Sequence, residues 1–278
     1  MVTFVLMNVL KTLFSFYINA SIHVALSVYS LVRITEIYFG FSYEEELNYF
    51  IFFGTITGYN FIKYAGVAKF YHRSLTTNLK IIQIFSLISF LALCYYAWKL
   101  PPETLILFVP LVLITVLYSV PFLAGFQKSL RGISYLKIFL VAFVWAGVTS
   151  SIPLIKNGYR LNVNMAIIFL QRFLFVVVLT LPFEIRDMQL DLQDVRTLPQ
   201  KIGIPQTKKV GLVFLLFVLT FEFLITDSNI FRNVFLVVCF LLLFLLMRSK
   251  EDQSKYFSSF WVESLPALWW VLLLIFLK

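Results

Sequence analysis

The chain is short of charge, cysteine, histidine and long polar stretches. Only 13% of its 278 residues are charged, about half the roughly 25% of a soluble domain. So few charges cannot coat a folded surface of that size, which excludes a soluble globular enzyme. The 60% hydrophobic content also excludes a disordered or fibrous chain. The two cysteines, Cys94 and Cys239, lie inside apolar runs and read as small buried hydrophobes. The two histidines, His23 and His72, have no partner at metal or triad spacing. The N-terminus has neither a basic leader nor a small-residue cleavage site, and Asn19, Ser21 and His23 interrupt its first apolar stretch. A cleavable signal peptide is therefore not expected. The apolar runs do not alternate as the strands of a transmembrane barrel would. The longest polar stretch, 184–209, is too short to hold a core of its own.

What is present is apolar sequence in runs of membrane length, with mean hydropathy +0.89. A spanning helix needs about 20 mostly apolar residues. Segments near 12–34, 47–68, 79–98, 104–123, 136–155, 164–183, 208–226, 230–247 and 262–277 meet that need. The expected fold is all-α: a polytopic membrane protein of about nine transmembrane helices in one bundle, with residues 1–278 as a single domain. The seventh and eighth segments are separated by Asp227-Ser228-Asn229, and the last carries Glu263 and Pro266 near its start.

The net charge of +9 comes from 23 Lys and Arg against 14 Asp and Glu. With the N-terminus inside, one side collects Lys11, then Lys63, Lys69, Arg73 and Lys80, then Lys128, Arg131 and Lys137. It also collects Arg186, Arg196, Lys201, Lys208 and Lys209, and finally Arg248, Lys250 and Lys255. The other side collects Arg33, Lys99, Lys156, Arg160, Arg172, Arg232 and Lys278. Most of the basic residues fall on the first side, so the positive-inside rule favours a cytoplasmic N-terminus and a C-terminus opposite. An odd span number agrees with that. The basicity marks cytoplasmic loops rather than a nucleic-acid partner. The acidic run Glu44-Glu45-Glu46 falls outside.

The most informative stretch lies at the inner end of the sixth segment. Glu184, Asp187, Asp191 and Asp194 are spaced three, four and three apart, which stacks them on one helical face. Four anions at a membrane boundary repel each other and are costly to desolvate without cations among them. A hard divalent cation meets that need, because Mg²⁺ takes one or two carboxylates plus phosphate oxygens. The spacing thus points either to a Mg²⁺–phosphate site or to a solvated helix end with Arg186 and Arg196 paired to the acids.

Two further polar sets bear on the same chemistry. Asn60, Lys63 and Tyr64 share one face of the second segment. An ammonium there either turns toward an anion or snorkels to the headgroups. Around the fourth loop, Tyr118, Lys128, Arg131 and Lys137 form either a diphosphate clamp or a set of topology determinants. The 32 phenylalanines either line an apolar channel or face lipid, and Trp269-Trp270 read as packing or interfacial residues.

Nine helices with an acidic motif after the sixth resemble the UbiA superfamily of intramembrane prenyltransferases. That family carries an NDxxD motif after its second helix and DxxRDxxxD, or a near variant, after its sixth. Here Glu184-Ile185-Arg186-Asp187-Met188-Gln189-Leu190-Asp191 matches the second motif, with Glu184 in place of the leading acid. Arg196-Thr197-Leu198-Pro199 and Ile202-Gly203 resemble its continuation. Tyr118-Ser119-Val120-Pro121, Lys128 and Leu136-Lys137 resemble the loop after the fourth helix. The first motif departs: Asn60 keeps its place, but Phe61 and Tyr64 stand where the two aspartates are expected.

The resemblance implies a prenyltransferase that moves a prenyl group from a prenyl diphosphate to an aromatic or other lipophilic acceptor. It implies Mg²⁺ on Glu184, Asp187 and Asp191. Asn60, Lys63, Tyr118, Lys128 and Arg186 would hold the diphosphate, and Asp187, Asp191 and Lys63 would be catalytic. The implied setting is a bacterial inner membrane with the polar motifs cytoplasmic. The departing motif keeps a second class open: a non-catalytic protein of the same fold that binds a lipid phosphate or a partner subunit. A secondary transporter is disfavoured, since no Gly/Pro-broken helices occupy corresponding positions of two halves.

Overall fold

A computed structural model of the protein describes residues 2–70, 77–119, 136–188 and 197–277. The described chain is 87% helix with no strand, so the fold class is all-α. In order, the helices are α1 (Val2–Asn19), α2 (Ile22–Phe39), α3 (Glu45–Phe70), α4 (Thr77–Lys99), α5 (Pro102–Ser119), α6 (Leu136–Ala146) and α7 (Ile152–Lys156). They continue with α8 (Val163–Asp187), α9 (Leu198–Ile202), α10 (Ile204–Ile225), α11 (Asn229–Arg248) and α12 (Leu265–Phe276). Helix is the natural solution for apolar sequence in lipid, because it satisfies the backbone within the segment. Several hydroxyls inside the helices are satisfied in the same way: Thr55, Ser86, Ser89, Thr115 and Thr220 each donate to the carbonyl four residues back.

The helices fall on the apolar segments read from the sequence, except that the first is divided and the fifth, 136–155, is α6 and α7 joined by a π turn. The first segment, 12–34, is two helices and not one. α1 stops at Asn19, and Ser21 adopts a left-handed backbone with φ 62° before α2 begins. Among the described residues, six segments are long and apolar enough to cross a membrane: Ile22–Phe39, Leu79–Lys99, Leu136–Lys156, Val163–Asp187, Asn229–Arg248 and Phe257–Phe276. α3 carries Glu45, Glu46 and Lys63, and α10 carries Lys208, Lys209 and Glu222; neither is among the six. Among the described residues, length and composition thus give six candidate spans, which does not confirm the expected nine.

The chain groups into two compact units. One holds Met1–Tyr29 and Glu44–Pro101; the other holds Ser30–Tyr43 and Pro102–Lys278. In the first unit α3 packs on α4, and α1 also meets α4. Glu45 and Glu46 lie in the first turn of α3, where acids complement the helix dipole. α4 turns large apolar side chains outward, including Ile84, Leu87, Leu91 and Trp98. Cys94 shares that exposure, contrary to the expectation that both cysteines are buried; Cys239, on α11, is buried.

In the second unit α8 packs against α6, α10 and α11, and α11 packs against α12. Two close approaches explain glycines. A Cβ on Gly211 of α10 would lie 2.4 Å from Leu246 Cδ2 and 2.9 Å from Leu181 Cδ1. A Cβ on Gly147 would lie 2.9 Å from Leu111 Cδ1. Gly147–Ser151 is a π-helical turn that joins α6 to α7.

Candidate functional site

The inner end of α8 carries the acidic motif. Pro182 sits inside the helix, and its own carbonyl accepts side-chain donors from Gln253 at 2.7 Å and Ser258 at 3.2 Å. These bonds tie the end of α8 to the segment before α12. Glu184 is buried, 4% exposed. Its Oε1 lies 2.9 Å from Lys137 Nζ, which reaches over from the first turn of α6. The next acid is held differently. Arg186 grips Asp187 with two bonds, Nε to Oδ1 at 2.7 Å and one terminal nitrogen to Oδ2 at 3.1 Å. The other terminal nitrogen donates to Ser259 Oγ at 3.0 Å and to the Lys255 carbonyl at 3.3 Å. The Arg186 guanidinium also lies over the Phe183 ring, 5.4 Å from its centroid.

Of the residues expected at a metal and diphosphate site, the structure thus brings together Glu184, Arg186, Asp187 and Lys137. Asp191, Asp194, Lys128, Arg131 and Arg196 lie outside the described residues, and so does the Tyr118 side chain. The ends of the acidic segment are joined by Gln200 of α9. Its amide nitrogen donates to the Met188 carbonyl at 2.6 Å, and its oxygen accepts from the Thr197 amide at 2.8 Å. The short helix α9 was not read from the sequence.

Asn60, Lys63 and Tyr64 belong to the first unit and converge on the break between α1 and α2. Asn60 is buried; it donates to the Ala20 carbonyl at 3.1 Å and to Ser86 Oγ at 2.8 Å, and accepts from Ser21 Oγ at 2.8 Å. Lys63 Nζ donates to Ser21 Oγ at 2.9 Å, and Tyr64 donates to the Asn19 carbonyl at 2.9 Å. The shared face expected from the spacing is real, and it satisfies the backbone that the helix break leaves open. Phe61, on another face, is 53% exposed. His23 bonds the Tyr17 hydroxyl at 2.8 Å.

Sequence reading missed a second polar centre, in the middle of α8. Arg172, placed by the sequence among outer basic residues, is 5% exposed and belongs to no loop. Its guanidinium donates to the Leu31 carbonyl at 2.9 Å and more weakly to Thr149 Oγ1 and Thr35 Oγ1, both at 3.4 Å. It also lies 5.4 Å from the centre of the Trp269 ring. Glu222 of α10, 2% exposed, accepts from Tyr38 at 2.8 Å and from Gln171 at 2.7 Å. Trp269 itself is buried against Phe175 and Phe235, a packing role. The signal available in the sequence was the rarity of charge within apolar runs: intramembrane Arg and Glu face the protein interior and find partners there.

Among the described residues, no group of three or more His, Cys, Asp or Glu is placed to hold a metal ion. The described acids nevertheless suit a hard cation. Glu184 and Asp187 offer carboxylate oxygens one turn apart, and in each case a cation of the chain already sits against them.

Among the described residues, six helices long and apolar enough to cross a membrane, with many large apolar side chains exposed, mark an integral membrane protein. Its fold is similar to the solved structure of a digeranylgeranylglyceryl phosphate synthase in membranes. The TM-score is 0.56 at 15% identity, over 96% of this chain and 97% of that one. At that identity the likeness is one of fold. No protein-family model and no curated protein matches the sequence.

Proposed function

We propose that the protein is a UbiA-like intramembrane prenyltransferase. It would move a prenyl group from a prenyl diphosphate to an aromatic or other lipophilic acceptor. The observation that carries this reading is the pairing of a fold likeness along nearly the whole chain with buried and half-buried acids at the end of α8 that draw cations. The solved structure the chain resembles is that of a digeranylgeranylglyceryl phosphate synthase in membranes, and that likeness of fold supports the reading.

Glu184, Asp187 and Asp191 would hold Mg²⁺, with Mg²⁺ supplying charge neutralisation to a departing diphosphate. Arg186 orients Asp187 through its two bonds and is itself fixed by Ser259 and the Lys255 carbonyl. Lys63 and Lys128 would add cationic donors for the phosphate oxygens, beside Asn60 and Tyr118. Stabilising a leaving group in a water-poor site contributes most of the barrier reduction in such chemistry. The prenyl group, left electron-poor as its C–O bond breaks, then accepts electrons from the acceptor, which loses a proton. The N-terminus and the polar motifs would face the cytoplasm. Asp187→Ala and Asp191→Ala in the purified protein should each abolish prenyl transfer; full activity in both would remove the metal assignment.

One observation favours a second reading. Tyr64, standing where an aspartate is expected, spends its hydroxyl on the Asn19 carbonyl, and Phe61 has no ligand atom to offer. A non-catalytic protein of the same fold that binds a lipid phosphate or a partner subunit would tolerate both. Mg²⁺-dependent release of pyrophosphate from a prenyl diphosphate would exclude it.

A further inference from the structure

Consecutive residues of an α-helix point about 100° apart and do not face each other. Arg186 and Asp187 nevertheless form a two-bonded pair at the end of α8, Nε to Oδ1 at 2.7 Å and a terminal nitrogen to Oδ2 at 3.1 Å. The guanidinium is therefore turned back toward its neighbour, and something has to hold it there. Its other terminal nitrogen donates to Ser259 Oγ at 3.0 Å and to the Lys255 carbonyl at 3.3 Å. Ser259 in turn donates its hydroxyl to that same carbonyl at 3.0 Å. The serine and the carbonyl thus take one end of the guanidinium, and Asp187 takes the other.

The segment between α11 and α12 grips α8 a second time, four residues earlier. Pro182 has no N–H to give to the helix ladder, so the last turn of α8 depends more on outside contacts. Gln253 donates to the Pro182 carbonyl and to Ser258 Oγ, both at 2.7 Å, and accepts from the Lys250 amide at 3.0 Å. Ser258 donates to the same Pro182 carbonyl at 3.2 Å. Ser258 and Ser259 lie together on the π-helical turn Phe257–Val262, a kind of turn found often at functional sites.

Gln253 and Ser259 are only half-buried, and a partly exposed ion pair such as Arg186–Asp187 contributes little stability. What the arrangement fixes is a direction. A carboxylate has about four acceptor sites. Arg186 takes two of them on Asp187, which sets the plane of the group and turns its other sites toward a cation.

We propose that Ser259, supported by Gln253, is a positioning residue for the metal-facing carboxylate of Asp187. Ser259 holds the guanidinium where it can grip Asp187, and Gln253 holds the turn of α8 that carries both. The inference rests on the prenyl-transfer reading. It adds that the acidic motif is aimed by side chains 71 and 73 positions further along the chain.

The test uses the purified full-length protein in lipid nanodiscs, with farnesyl diphosphate present and Mn²⁺ as a paramagnetic stand-in for Mg²⁺. Ser259→Ala should weaken Mn²⁺ binding by about tenfold or more, the cost of losing a partner that orients a metal ligand, while Tm stays close to that of wild type. Ser259→Thr, which keeps the hydroxyl, should bind Mn²⁺ as wild type does. Gln253→Met, which keeps the length and loses the donors, should weaken Mn²⁺ binding in the same direction. In an Asp187→Asn background Ser259→Ala should cost no more than about twofold, because coupled residues are not additive. Should Ser259→Ala aggregate, Ser259→Val replaces it and is compared with Ser259→Thr, which has the same shape. Equal Mn²⁺ affinity of wild type and Ser259→Ala overturns the inference alone. So does an equal loss in Ser259→Thr, which would mark packing, or an undiminished loss in the Asp187→Asn background. Failure of the prenyl-transfer reading looks different: wild type then binds no Mn²⁺ with farnesyl diphosphate, which overturns that reading and this inference with it.

Discussion

Gln171-Arg172 and Glu184–Asp187 lie on one helix, about 18 Å apart at 1.5 Å per residue. Around the middle of α8, its Arg172 and Glu222 of α10 are almost fully buried. Their bonds run to the carbonyl of Leu31, to threonines and to Tyr38 and Gln171, all fixed by packing. At the end of α8 the acids meet Lys137 and Arg186, whose side chains are 40% and 20% exposed. Both regions neutralise charge. The middle one does so with partners packed in the interior, and the end one with partners that are partly exposed. Buried charge inside a membrane is retained either for architecture or for chemistry. The exposure of the partner is what separates the two.

That contrast can be broken from either side, and the largest effect is expected in the middle. Arg172→Met takes the donor from the Leu31 carbonyl and from the hydroxyls of Thr149 and Thr35 and should lower stability by more than about 3 kcal/mol, at about 1–3 kcal/mol for each buried group left unsatisfied. Thermal unfolding in detergent reads it, and an unchanged Tm would make the centre dispensable. At the end of the helix, Asp187→Ala should lower prenyl transfer by about 10²–10³-fold, the cost of losing one charge-stabilising group, while Tm moves little. A large fall in Tm would erase the distinction between the regions. Next in size, Gly211→Ala forces a methyl against Leu246 and Leu181 and should cost about 1–3 kcal/mol by overpacking, again by thermal unfolding.

The first unit sharpens the comparison further. Lys63→Ala should weaken binding of a prenyl diphosphate by roughly tenfold or more, about the worth of one charged hydrogen bond, and Lys63→Arg should retain part of it. Titration with farnesyl diphosphate decides between that role and simple support of Ser21. Tyr64→Phe removes only the hydroxyl bond to Asn19. It should cost about 0.5–1.5 kcal/mol of stability, the smallest effect here.

Much of this architecture is legible in the sequence because lipid imposes a length and a composition on each helix. Segments such as 79–98 and 230–247 become α4 and α11 with ends displaced by only a residue or two. The break at Ala20-Ser21 is not legible in that way. Asn19, Ser21 and His23 read as impurities in one span, and nothing local announces that Asn60, Lys63 and Tyr64, some 40 positions later, will cap the open backbone. The acidic face of the candidate site is legible because three- and four-residue spacing is a property of a single helix. The Tyr38–Glu222 bond joins residues 184 positions apart, so only tertiary packing reveals it. Arg172 lies inside an apolar run of α8, so its charge reports an interior partner and not the side of a loop.

The turn at Gly147–Ser151 carries one last consequence. A π turn accommodates one residue more than the α-helical pitch allows, and the surplus leaves the Thr149 carbonyl available to the Thr35 hydroxyl at 2.7 Å. The stretch from Leu136 to Lys156 therefore stores a register slip of one residue. Deleting a single residue there would rewind the helix to regular pitch, turn Pro153 and Leu154 by about 100°, and withdraw the acceptor on which Thr35 depends. The chain is thus more sensitive to a change of length at this point than to most changes of side chain.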